Sequence, residues 1–141
     1  MPMSPRLLLH LEGAAVLAAS IFAYRHHHGG WILFAALFLV PDVSMIGYLR
    51  NARVGAATYN AIHTYLGAFL LAGYALWISR PTALLVALIW IAHIGFDRML
   101  GYGLKYPARF KDTHLSPERH AVNPAAPRSL LQTGALPPAS T

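Results

Sequence analysis

Four apolar stretches, at about 7–24, 31–49, 54–78 and 82–100, govern what this chain can fold into. Each is near the roughly 20 residues that an α-helix needs to cross a bilayer. A lipid-exposed backbone must satisfy its own hydrogen bonds, which leaves helices or closed barrels, and barrel strands would be shorter and would alternate. The sequence therefore predicts an all-α fold, a four-span transmembrane helix bundle. Its links, Arg25–Gly30, Arg50–Arg53 and Ser79–Pro81, are short, which makes sequential helices antiparallel neighbours.

Composition agrees with lipid. Charged residues make up 11% of the 141-residue chain, less than half the roughly 25% usual in soluble domains. The formal charge of +6 comes without a basic run interleaved with aromatics, so it points to membrane topology and away from nucleic acid. With no cysteine, disulfides, thiolate metal sites and thiol nucleophiles are excluded. The first stretch carries His10 and Glu12 and follows a single Arg, so an uncleaved span is expected in place of a signal peptide.

Counting Lys and Arg between the stretches sets the orientation. With the N-terminus inside, nine fall on the inner side (Arg6, Arg50, Arg53, Arg98, Lys105, Arg109, Lys111, Arg119 and Arg128) and two outside (Arg25 and Arg80). The expectation is an inner-membrane, multi-pass protein with both termini cytoplasmic. Residues 101–115 mix aromatic and charged side chains and are expected to form an interfacial segment beneath the bundle. Residues 116–141, rich in Pro, Ala and Ser, are expected to be a disordered tail.

Folding the chain at its turns brings polar residues from every span to one depth in the cytoplasmic half: Glu12, Asp42, Asn60, His63, His93 and Asp97. Tyr59, Asn60 and His63 share one helical face, as do His93 and Asp97. His10 and Glu12 differ by about 200° on a helix, so only one can point inward, and Glu12 is the expected one. Pro41 removes a backbone donor immediately before Asp42 and predicts a kink there.

Several of these residues carry a resemblance. The runs LEG (Leu11–Gly13), PDVSMIGY (Pro41–Tyr48), YNAIH (Tyr59–His63) and AHIGFDRMLGYGLKYPARFKDTHL (Ala92–Leu115) together resemble the bacterial membrane family catalogued as domain of unknown function 4260, over about residues 7–115. The resemblance implies a small multi-span membrane protein whose recurrent polar positions are Glu12, Asp42, Asn60, His63, His93, Asp97, Arg98, Lys105, Lys111, Asp112 and His114. It brings no activity with it. The tail after Leu115 departs from the family pattern.

Three uses of the polar layer are open. His63, His93 and Asp97, with Asp42 or Glu12, offer nitrogen and oxygen ligands suited to zinc, iron or manganese, and His63 with His93 could ligate haem; none of the spacings forms a diagnostic metal box. Alternatively, a carboxylic acid in a low-dielectric bundle stays protonated, so Glu12 or Asp42 could serve as acid and His63 or His93 as base toward an isoprenoid or other apolar substrate. The layer could also be structural, holding helices or a partner subunit in register. A channel is disfavoured because the outer half is almost purely apolar.

The leading expectation is a small membrane enzyme acting on a lipid-soluble substrate, with Glu12, Asp42, His63, His93 and Asp97 catalytic. Asn60, Arg98, Lys105, Lys111, Asp112 and His114 would bind substrate or close over the site, although Arg98 and Lys105 could simply snorkel to anionic head groups. Such a thin bundle leaves association with further copies open, with no GxxxG motif to mark the face.

Overall fold

The computed structural model describes residues 4–105, which form helices and the turns between them. The expected interfacial segment beyond Lys105 and the tail 116–141 lie outside the described residues. Helix α1 (Pro5–His26) opens with Pro5 in its first turn and with Ser4 Oγ accepting from the Leu7 N–H at 3.3 Å. Next come α2 (Trp31–Phe38) and a 3₁₀ helix (Val40–Leu49) that together make one apolar stretch. Asn51 then caps α3 (Ala52–Ile62) by accepting from the Val54 N–H at 2.9 Å, and α4 (Tyr65–Trp77) and α5 (Pro81–Leu100) follow.

Helix α5 is the centre. It packs against α1, α2 and α4, while α3 packs against the 3₁₀ helix. Leu84, Ala87, Ile89, Ile91, Ala92, His93, Ile94 and Gly95 are buried along it, and Ile91 and Ile94 form a core with Ala68 of α4. The approach of α1 to α5 is backbone to backbone: a Cβ on Gly95 would lie 2.8 Å from Leu17 N, and one on Gly13 would lie 2.5 Å from Met99 N. Small residues permit this closeness, which is how helices associate without a hydrophobic drive. At its end α5 closes on Gly101 in the left-handed region (φ 86°), with the Tyr102 N–H donating to Asp97 O at 2.8 Å. Outward, large apolar side chains such as Phe22, Ile32, Leu49, Leu66 and Leu70 stay exposed, a surface suited to acyl chains and not to water.

Among the described residues, three helical stretches, Pro5–His26, Trp31–Leu49 and Pro81–Leu100, are long and apolar enough to cross a membrane. The expected third span, 54–78, is not continuous: it breaks between α3 and α4 at His63 and Thr64. No proline sits there. Instead the break is held by donors from α5. The Trp90 indole N–H donates to Ile62 O at 2.7 Å, and Arg98 donates to His63 O at 3.2 Å. Non-helical backbone at membrane depth is tolerated when protein groups satisfy the carbonyls it frees, and these two side chains do so. The second span carries the discontinuity that Pro41 predicts: α2 ends at Phe38, and the chain continues as a 3₁₀ helix.

Candidate metal centre

The two helical discontinuities meet at one place. Asp42 lies one residue beyond Pro41, His63 immediately follows the last residue of α3, and His93 and Asp97 stand one turn apart on α5. Four side-chain donor atoms converge there, all within 4.8 Å of one another. His63 Nε2 lies 3.2 Å from His93 Nε2, 3.4 Å from Asp42 Oδ1 and 3.6 Å from Asp97 Oδ2. His93 Nε2 lies 3.6 Å from Asp42 Oδ1 and 3.8 Å from Asp97 Oδ2.

These distances have a simple geometric meaning. A tetrahedron's edge is about 1.63 times its centre-to-vertex distance, so zinc–nitrogen and zinc–oxygen bonds of about 2.0–2.2 Å imply donor–donor edges of about 3.3–3.6 Å. The five separations that involve a histidine, 3.2–3.8 Å, bracket that range, and all four donors lie within 4.8 Å of one another. Both imidazoles are fully buried; the Asp97 side chain is 13% exposed and that of Asp42 42%. Asp42 is thus the open side of the cluster.

Surrounding groups orient the donors. Tyr59 O is an acceptor only, so the His63 Nδ1 that meets it at 3.0 Å carries the proton, and the Nε2 lone pair is left facing the cluster. This is the outer hydrogen bond that metal-ligating histidines usually make. The Tyr59 phenol donates to Asp97 Oδ2 at 3.2 Å, and its ring stacks on His63 with centroids 3.8 Å apart and planes at 10°. One residue therefore braces two of the four donors. His93 is held edge-on by Phe38 at 5.4 Å, and its Nδ1 is buried without a hydrogen-bond partner among the described residues.

Other expected site residues have different positions. Glu12 is exposed on α1 and does not join the cluster, because α1 turns Gly13 toward α5 and Glu12 lies about 100° away. His10, beside it, donates from Nδ1 to Met99 O at 2.7 Å. Asn60 faces the chain after α5: its Nδ2 donates to Lys105 O at 2.9 Å and its Oδ1 accepts from the Lys105 N–H at 2.7 Å. The Lys105 ammonium then sits 4.9 Å above the Tyr59 ring, and burial pushes it below the usual lysine range against the pull of Asp97 and Asp42. Arg98 supports main chain, at His63 O and Tyr102 O. Lys111, Asp112 and His114 lie outside the described residues. A haem between His63 and His93 does not fit, since their Nε2 atoms are 3.2 Å apart and two carboxylates share the same space.

The family profile of the domain of unknown function (DUF4260) matches residues 6–117. This chain belongs to that family. No curated protein and no solved structure matches it. The resemblance carried by PDVSMIGY, YNAIH and the block from Ala92 is thereby established, and all four converging donors lie inside the matched residues. The DUF4260 description names no activity, so function must be argued from the site itself.

Sequence reasoning missed two residues that hold this site together. In the sequence Tyr59 stands out only as a neighbour on the His63 face, and Trp90 only as a tryptophan in the middle of the fourth apolar stretch. The usable signal was polarity: each carries a donor that buried aromatics seldom leave unpaired.

Proposed function

We propose that this member of DUF4260 is a membrane-embedded, metal-dependent enzyme in which Asp42, His63, His93 and Asp97 hold one divalent ion and a lipid-soluble substrate reaches it from the cytoplasmic leaflet. The observation that carries the reading is the spacing of the four donor atoms. Two neutral nitrogens and two carboxylate oxygens, with histidine-to-donor separations near those of a tetrahedral site, suit zinc first, with iron or manganese as harder alternatives. Two carboxylates offset the charge of a divalent cation, which membrane depth otherwise makes costly.

A closed set of four protein ligands describes a structural zinc site, whereas catalytic sites keep one position for water or substrate. Asp42 supplies that position. It is the least buried ligand and the one carried by the 3₁₀ helix, outside the helix that holds His93 and Asp97. With Asp42 displaced, His63, His93 and Asp97 would keep hold of a divalent ion, which would supply Lewis-acid chemistry at the position Asp42 leaves. The lysine and arginine distribution supports an inner-membrane protein with both termini in the cytoplasm, and hence access from that leaflet.

A metal-free reading draws on the same contacts. The 3.2 Å approach of His63 Nε2 to His93 Nε2, continued through Asp97 to Tyr59, is a route along which a proton could be shared.

Elemental analysis of detergent-purified protein separates the two. The metal reading expects about one divalent ion per chain, lost in His63→Ala and in Asp97→Asn at unchanged protein yield. A metal-free wild type, or full occupancy in both variants, would end it. For the enzymatic part, lipid extracts of cells carrying wild type or His63→Ala are compared by mass spectrometry. Identical lipid profiles would leave a binding or structural role.

A further inference from the structure

Beside the cluster lies an apolar cavity of about 430 Å³. Its walls come from both interrupted spans and from α5, and include Pro41, Val43, Ile62, Val86, Ile89 and Trp90. Three features tie it to the site. Pro41 and Val43 bracket Asp42, the most accessible of the four donors; Ile62 immediately precedes His63; and Ile89 lies one turn before His93 on the same helix.

Among the described residues the lining contains no charged side chain, and its polar groups are few: Ser44 and the Trp90 indole. That indole N–H is already committed to Ile62 O at 2.7 Å. Water has little to bond to in such a space, and apolar cavities of this kind stay dry or take up hydrocarbon. The size is at the low end of the roughly 300–1,000 Å³ typical of ligand sites, which suits one chain and not a two-chain phospholipid. Trp90 is a fixed wall: its ring lies against Gly67 of α4, where a Cβ would come within 3.0 Å of it.

Resting on the functional reading above, we infer that this cavity binds a single hydrocarbon chain, acyl or isoprenoid, of a membrane-soluble molecule whose polar end is presented to Asp42. Chain contacts in the cavity supply the affinity, and the cluster meets only the polar end. Remote binding of this sort is how an enzyme positions a small reactive group.

Trp90 gives a direct readout that does not depend on metal. In full-length protein carrying Trp31→Phe and Trp77→Phe, Trp90 is the sole tryptophan. The protein is placed in nanodiscs of unbrominated lipid, treated with chelator, and titrated with a long-chain dibromo-alkanol. Trp90 emission should be quenched saturably, should recover when the unlabelled alkanol is added in excess, and should be quenched several-fold less in the same background with Val86→Phe filling the cavity. Quenching that rises linearly with bromo-alkanol, and that excess alkanol does not reverse, would mean bulk lipid contact only and overturn the inference. Competition by unlabelled alkanol is measured without the cavity variant, so a poorly folded Val86→Phe protein does not remove the test. Saturable quenching in protein that also fails elemental analysis would keep the chain site and discard the metal.

Discussion

Replacing Tyr59 by Phe removes one oxygen atom from the site and isolates a single contribution. The ring keeps its 3.8 Å stack on His63, and the main-chain carbonyl still accepts from His63 Nδ1. Only the phenol O–H to Asp97 Oδ2, 3.2 Å long, is lost. A hydrogen bond to a charged acceptor contributes about 1.5–3 kcal/mol. Bonds from hydroxyl to carboxylate are usually about 2.5–2.7 Å, so this longer one belongs at the weak end, about 1.5 kcal/mol. That energy is about tenfold in affinity, the lower edge of the roughly 10–100-fold lost when outer partners of metal ligands are removed. Competition against a fluorescent chelator in detergent measures it. Tyr59→Phe should bind zinc about tenfold more weakly, and Tyr59→Ala, which also removes the stack, more weakly still. Wild-type affinity within twofold in Tyr59→Phe would refute the idea that the phenol braces a ligand.

Three further outcomes follow from the geometry. Trp90→Phe leaves the part-buried Ile62 O without its donor, which costs about 1–3 kcal/mol, so Tm in detergent should fall by several degrees; an unchanged Tm would show that the break does not depend on the indole. Protons compete with the ion for imidazole nitrogen and carboxylate oxygen, so bound metal in equilibrium dialysis should be retained near about pH 7.5 and released below about pH 6; occupancy independent of pH would exclude histidine ligation. Glu12→Gln should leave metal content at the wild-type level, because Glu12 is exposed on α1, and loss of the ion in this variant would contradict its placement outside the cluster.

Much of this site could be seen in the chain because depth and helical face are local quantities. Counting residues from each turn puts Asp42, His63, His93 and Asp97 at one level, and the four-residue spacing of His93 and Asp97 aligns them on one face. Glu12 shows the limit of depth alone. It is close to the right level, but rotation about the α1 axis is set by which residues pack on α5, and Gly13 and Gly95 decide that by letting the two backbones touch.

The broken third span was hidden for a related reason. Its local sequence, NAIHTYLG, contains no proline, and an uninterrupted helix is the local default there. What stabilises the break is supplied by Trp90 and Arg98, far along the chain on α5. Pro41 was legible because its missing N–H acts on its own turn. The same contrast separates Asn60 and Arg98, whose polarity suggested a ligand, from their observed work of holding main chain.

X-ray absorption at the zinc edge of the metal-loaded protein tests the central claim most directly. The account predicts a first shell of four nitrogen and oxygen atoms at about 2.0–2.2 Å, with outer scattering from two imidazoles that drops to one in His93→Gln. A shell of six oxygens, or imidazole scattering unchanged by that substitution, would contradict it.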